Sequence, residues 1–254
     1  MTRTTDQSPR IIHTDAEHGG LRFVVFALLL FSLVLSFLLI QLLLNLLAGG
    51  SRLQEFSTVI SCAGAIPLAL GISWVMELVL KREWHSGKML TLDDSELRFT
   101  QEKRSKNQSE NSARHLVFDW AEHLNITRWY FELRGYPRAG RERRVSKRWL
   151  CLACQLQQDD DRLIVYGYIP PNQAAAWTEN QQLSEPFYHI SLAKLYEQAG
   201  KKGRSAATRP TIPSSMLTSA DGLFWIAEQR RWREGVEVAQ QDFEIFMKYV
   251  EQKL

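Results

Sequence analysis

Between Phe23 and Ala48 the chain carries no Asp, Glu, Lys or Arg, and a second uncharged run, Phe56–Met76, follows closely. A helix rises about 1.5 Å per residue, so about 20 apolar residues cross the hydrocarbon core of a bilayer. Each run is long enough. In lipid the backbone must satisfy its own N–H and C=O groups, which makes a helix the expected form of an isolated apolar run. The intervening Gly49-Gly50-Ser51-Arg52-Leu53-Gln54-Glu55 has turn chemistry, so residues 22–80 read as an antiparallel transmembrane hairpin. A signal peptide fits poorly: its apolar core is about 7–15 residues long and ends at a small-residue cleavage site, whereas here a second span follows.

Flanking charge gives the orientation. Arg3, Arg10 and Arg22 precede the first run, Arg52 alone lies in the turn, and Lys81, Arg82, Lys88 and Arg98 follow the second. The positive-inside bias predicts a two-span protein of the cell membrane with both termini cytoplasmic. Residues 1–21 are polar and aperiodic, as expected of a disordered cytoplasmic tail. In the second run Ser57, Ser61, Ala65, Ala69 and Ser73 recur at four-residue spacing, placing small side chains on one face where helices approach closely. That face packs on the first helix of the same chain or makes a homo-oligomer contact. The tether favours the first, because it keeps that partner close by. No ionisable residue lies deep in either run, which argues against an ion or proton pathway.

After the hairpin the pattern turns to period two. Lys88–Leu92, Glu96–Thr100, His115–Trp120, Ile126–Leu133, Trp149–Gln157 and Leu163–Ile169 read as strands, separated by polar turns. Residues 81–172 therefore make an antiparallel sandwich or partly closed barrel. Glu102–Asn111 is a charged loop. Residues 173–254 read as a helical extension, with helices expected over Pro186–Gln198, from a Ser219 cap toward Gly235, and from Asp242 onward. In the last, Phe243, Phe246, Met247 and Val250 follow the i, i+3, i+4, i+7 spacing of a buried face. Lys201–Ser214 reads as a linker. The fold class is α+β.

A two-span hairpin leading into a small antiparallel β domain resembles the bacterial membrane proteins that carry a PH-like domain. The residues that carry the likeness are the strand pair Lys88-Met89-Leu90-Thr91-Leu92 and Glu96-Leu97-Arg98-Phe99-Thr100, and the strand end Val117-Phe118-Asp119-Trp120 with Asn125-Ile126-Thr127 after it. The resemblance implies a curved barrel closed by a helix and used for interaction rather than catalysis. The sequence departs from it in the long extension after residue 172.

Little in the chain points to chemistry. Cys151-Leu-Ala-Cys154 has redox or zinc spacing, but residues three apart on a strand face opposite sides, and no second pair accompanies it. The six histidines are scattered. No phosphate loop or nucleophile elbow is present, and no cofactor is implied. The aromatics Trp120, Trp129, Tyr130, Phe131, Trp149, Tyr166 and Tyr168 fit a core better than a nucleic-acid stacking platform, and the net charge of +3 does not mark a polyanion binder. The one concentrated feature is Arg134, Arg138, Arg141, Arg143, Arg144, Lys147 and Arg148, set against the single acid Glu142. The expected function is thus non-enzymatic: a membrane-anchored scaffold or interaction protein. Its cytoplasmic β domain and basic loop would bind a protein partner or anionic lipid headgroups. A membrane-tethered enzyme with an unrecognised site, or an accessory subunit of a transport complex, are the alternatives.

Overall fold

The computed structural model describes residues 9–14, 19–47, 56–84, 87–101, 114–180, 182–198 and 209–254. The turn Gly49–Glu55, the loop Glu102–Asn111, the first residues of the tail and most of the linker after Gly200 lie outside these. The chain divides into two compact units: a helix pair within Asp15–Ser86, and a unit in which the segment ending at Thr14 joins Gly87–Leu254.

Helix α1 spans Gly19–Leu47 and α2 spans Ser57–Glu83, the latter continuous through Pro67. Both are long and apolar enough to cross a membrane. Their surface reverses the usual soluble pattern. Phe23, Leu46 and Trp74 are 73%, 72% and 64% exposed, while Ser36 and Ser61 are buried at 2% and 0%. Ser57, Ser61, Ala65, Ala69 and Ser73 are all buried within the hairpin. The Ser32 hydroxyl lies 3.3 Å from that of Ser73 and reaches the Ala69 carbonyl at 3.4 Å. A Cβ on Gly64 would meet Ile40 at 3.1 Å, so small residues set the closeness of the two helices.

The second unit is built on two sheets. Strands β1 (Arg10–His13), β2 (Lys88–Leu92), β3 (Glu96–Gln101) and β4 (Arg114–Asp119) form an antiparallel sheet in that order. Residues 10–13, expected within a disordered tail, are instead one of its two edge strands, with Ile12 opposite Leu90 and His13 opposite Met89. The backbone N–H and hydroxyl of Thr14 both donate to the Lys88 carbonyl. A four-residue strand is too short for periodicity to reveal, and its apolar pair Ile11-Ile12 sends only Ile12 inward.

Strands β5 (Asn125–Glu132), β6 (Leu150–Gln158) and β7 (Asp161–Ile169) form an antiparallel meander. Its two edges are covered by two-residue strands: β8 (Tyr188–His189) pairs in parallel with β5, and β9 (Val236–Glu237) in parallel with β7. The extension after residue 172 is therefore not purely helical. Residues 188–189, expected inside a helix, satisfy edge groups of β5 that would otherwise be left unpaired. Among the described residues no sheet closes on itself.

Among the described residues the helices of this unit are α3 (Pro171–Thr178), α4 (Leu192–Gln198), α5 (Ser214–Leu217), α6 (Gly222–Glu234) and α7 (Gln240–Lys253). Ser219 does not cap α6. Its hydroxyl donates to the Met216 carbonyl, and Asp221 holds the N-cap position. Two cores flank the second sheet. On one face Leu152, Cys154, Leu156, Leu163 and Val165 meet the inward residues of the first sheet together with Phe243, Phe246, Met247 and Val250 of α7. On the other, Trp129, Phe131, Cys151, Ala153 and Ile164 meet α4, α5 and α6. At its far end α7 is fastened to the β2–β3 turn, where Lys253 Nζ donates to Asp94 Oδ1 at 3.0 Å.

Candidate functional site: a basic loop, its buried anchor and an adjoining groove

The basic segment connects β5 to β6, as the sequence implies, but it is folded rather than free. Gly135 and Gly140 take φ of 85° and 54°, the left-handed region that side chains disfavour. Between them and β6 runs a 3-10 turn, Gly140–Arg143. The Arg138 guanidinium donates to the carbonyls of Glu142 (2.7 Å) and Val145 (2.6 Å). Arg141 pairs with Glu237 at 2.9 Å. Arg143 donates its Nε to the Arg138 carbonyl at 2.7 Å. Arg138 and Arg141 are thus spent on holding the loop. Arg134, Arg143, Arg144, Lys147 and Arg148 are exposed, with Arg134 paired to Glu132.

What anchors the loop is its one acid. Glu142 is 1% exposed and reaches the second core, where its Oε1 accepts from Arg209 Nη2 at 2.7 Å and Arg231 Nη2 at 3.1 Å. The Tyr136 hydroxyl donates to its Oε2 at 3.2 Å. Glu228 completes the network. It accepts two bonds from Arg231, at 2.8 and 2.9 Å, one from the Trp129 indole at 2.8 Å, and an ion pair from Arg209. The guanidinium planes also lie over rings: Arg209 is 4.4 Å from the Trp232 centroid and Arg231 is 4.6 Å from that of Tyr166. Two cations and two anions balance. Burial, with Arg231 close by, holds the Arg209 guanidinium below its ordinary pKa. Both carboxylates are engaged by guanidinium groups, so the cluster acts as a clamp joining the loop, β5, α6 and the segment before α5.

Sequence reasoning missed Arg209, Glu228 and Arg231. The available signal was Glu142 itself, a lone acid inside a basic run, which needs cationic partners if it is buried. Those partners lie far along the chain.

Beside the loop an open groove of about 620 Å³ is lined by Tyr130, Glu132, Leu150, Arg134, Lys147 and Arg148, and by Pro171, Ala175, Thr178 and Glu179 of the α3 region. Glu132 and Leu150 are direct cross-strand partners. Three of the seven basic residues, Arg134, Lys147 and Arg148, therefore share one cavity. Tyr130 also packs against His189 in a tilted ring pair, with centroids 4.9 Å apart.

Cys151 and Cys154 face different cores, as strand alternation requires, so they do not form one ligand pair. Burial pushes the Cys151 thiol up to about 12 and the Cys154 thiol up to about 11. Both should stay protonated at neutral pH. Iodoacetamide should leave them unmodified in the folded chain and alkylate both after unfolding, as read by peptide mass spectrometry. Native modification of either residue would contradict this packing.

Comparison with family models, with curated proteins and with solved structures finds no match for this chain.

Proposed function

We propose that this chain is a membrane-anchored, non-enzymatic interaction protein. In this reading α1 and α2 span the bilayer, and the second unit presents its basic β5–β6 loop to an anionic membrane surface on the cytoplasmic side. The observation that carries it is the clamped loop. Arg143, Arg144, Lys147 and Arg148 are held exposed on a fixed turn, and a buried network removes the loop's one acid from the surface. Each basic residue held near anionic headgroups contributes about 1 kcal/mol. Tethering through α2, which ends at Glu83 just before this unit begins, keeps such a surface within reach.

Two further features support the reading. The lipid-compatible exterior of the helix pair accompanies a polar seam inside it. The β1–β2 pairing joins the strand before α1 to the strand after α2. In this reading both flanks of the hairpin lie on one side of the bilayer, and the positive-inside bias favours the cytoplasmic side. A PH-like reading of the second unit belongs to the same proposal. Its support is a meander of four strands and then three, with an amphipathic helix, α7, packed against both sheets. Residues 10–13 add a strand to the six read from the sequence.

The test uses the full chain in lipid nanodiscs. Trypsin cleavage after Arg143 and Arg144, which lie outside the groove, should slow when neutral lipid is replaced by anionic lipid, and added salt should restore it. Equal cleavage in both lipids would reject the membrane surface and leave a protein partner as the ligand of the loop.

A further inference from the structure

The groove beside the loop is lined by charge of both signs. Its floor is the end of the second sheet, with Tyr130, Glu132 and Leu150. Lys147 and Arg148 line it, and neither side chain has an ion pair among the described residues. The α3 region contributes to the same lining. It supplies Pro171 and Ala175 as apolar surface, and Glu179 as an exposed carboxylate without an ion pair among the described residues. Glu132 is matched by Arg134. Glu132 and Glu179 both act on Tyr130, whose phenol is held above its ordinary pKa by burial and then by these two carboxylates. The groove thus offers two subsites of opposite preference. Lys147 and Arg148 suit a phosphate. The Tyr130 ring and the Glu179 carboxylate suit an ammonium, by cation–π and charge-assisted contact. Apolar surface from Leu150, Pro171 and Ala175 shares the lining, and the volume falls within the size range of small-molecule sites.

We infer that this groove binds a zwitterionic phospholipid headgroup of the phosphoethanolamine type: phosphate on Lys147 and Arg148, ammonium on Tyr130 and Glu179, and the glycerol end on Leu150, Pro171 and Ala175. An anion alone would meet Glu179 unpaired, and a cation alone would meet Lys147 and Arg148. The inference deepens the membrane-surface reading, since it assigns one headgroup class to a site on the same face.

The test is isothermal titration of the full chain in non-ionic detergent with three probes: dihexanoyl phosphatidylethanolamine, dihexanoyl phosphatidylglycerol and free O-phosphoethanolamine. The ethanolamine lipid should bind saturably and about tenfold tighter than the glycerol lipid, the factor expected of one added charge-assisted contact. Glu179→Gln should erase that preference. Lys147→Ser with Arg148→Ser should abolish binding of both lipids. All three positions are exposed, so folding is not at stake. Free O-phosphoethanolamine should compete with the lipid: weaker binding assigns the lipid as ligand, and equal binding assigns the free ester with the same chemistry. Equal or tighter binding of phosphatidylglycerol, or no effect of Glu179→Gln, would overturn the inference while leaving the nanodisc result standing. Displacement of the lipid by a tighter-binding acidic peptide would overturn it in favour of a protein ligand.

Discussion

Glu228→Ala should destabilise the second unit by about 3–5 kcal/mol, because it strands buried cations without their counter-charge. Glu228 is 1% exposed and accepts from Arg231, Arg209 and the Trp129 indole. Without it one carboxylate, Glu142, faces two guanidinium groups in the second core, and the Trp129 N–H is buried without its acceptor. A paired replacement separates this cause from simple loss of volume. Glu228→Leu together with Arg231→Met leaves Arg209 opposite Glu142, one cation to one anion, with apolar groups filling the space. Its loss should be much smaller than that of Glu228→Ala, since replacing a buried ion pair by packed apolar groups is often near neutral. Denaturant unfolding of the full chain in micelles, followed by tryptophan fluorescence, measures both. A double variant as unstable as the single one would show that packing, not charge balance, dominates the site.

Phe246→Ala is the second large effect expected, also about 3–5 kcal/mol, as for other buried Phe truncations. Phe246 is fully buried in the core between the sheets, beside Phe243, whose ring centroid lies 6.3 Å away. Phe243 in turn sits over Gly167, where a Cβ would come within 3.2 Å of it. This close approach leaves little room for neighbours to collapse into the vacated space. Leu223→Ala is the control: Leu223 is also an apolar residue on a helix, but it is 56% exposed, so its loss should stay within about 0.5 kcal/mol. The same unfolding measurement reads both. An unchanged stability in Phe246→Ala would mean that α7 is held by something other than this core.

The contrast between Phe246 and Leu223 shows what periodicity can carry. Phe243, Phe246, Met247 and Val250 repeat every three or four residues over two turns, so one face of the helix had to be buried wherever it docked. The strands Lys88–Leu92 and Glu96–Thr100 were legible for the same reason with period two. Leu90 and Leu92 and, across the turn, Leu97 and Phe99 alternate with polar residues, and all four are buried. The apolar helices were legible from length alone, since a long run without charge has few other solutions.

Three things were decided only by the fold. The first is pairing without pattern: Arg10–His13, Tyr188–His189 and Val236–Glu237 are too short to carry a period, and they become strands because an open edge of the meander or of β2 needs partners. The second is the fate of the basic run. Sequence counts seven cations alike, but carbonyls of the loop take up Arg138 and Glu237 takes up Arg141, leaving Lys147 and Arg148 free to line a groove. The third is the clamp. Glu142 lies far along the chain from Glu228 and Arg231, and the three meet only because the β5–β6 loop folds over the sheet face that α6 covers. Local sequence determines which residues prefer a helix, a strand or lipid. Which charges meet in a low-dielectric core depends on long-range packing, and there the cost of an unpaired ion makes the choice stringent.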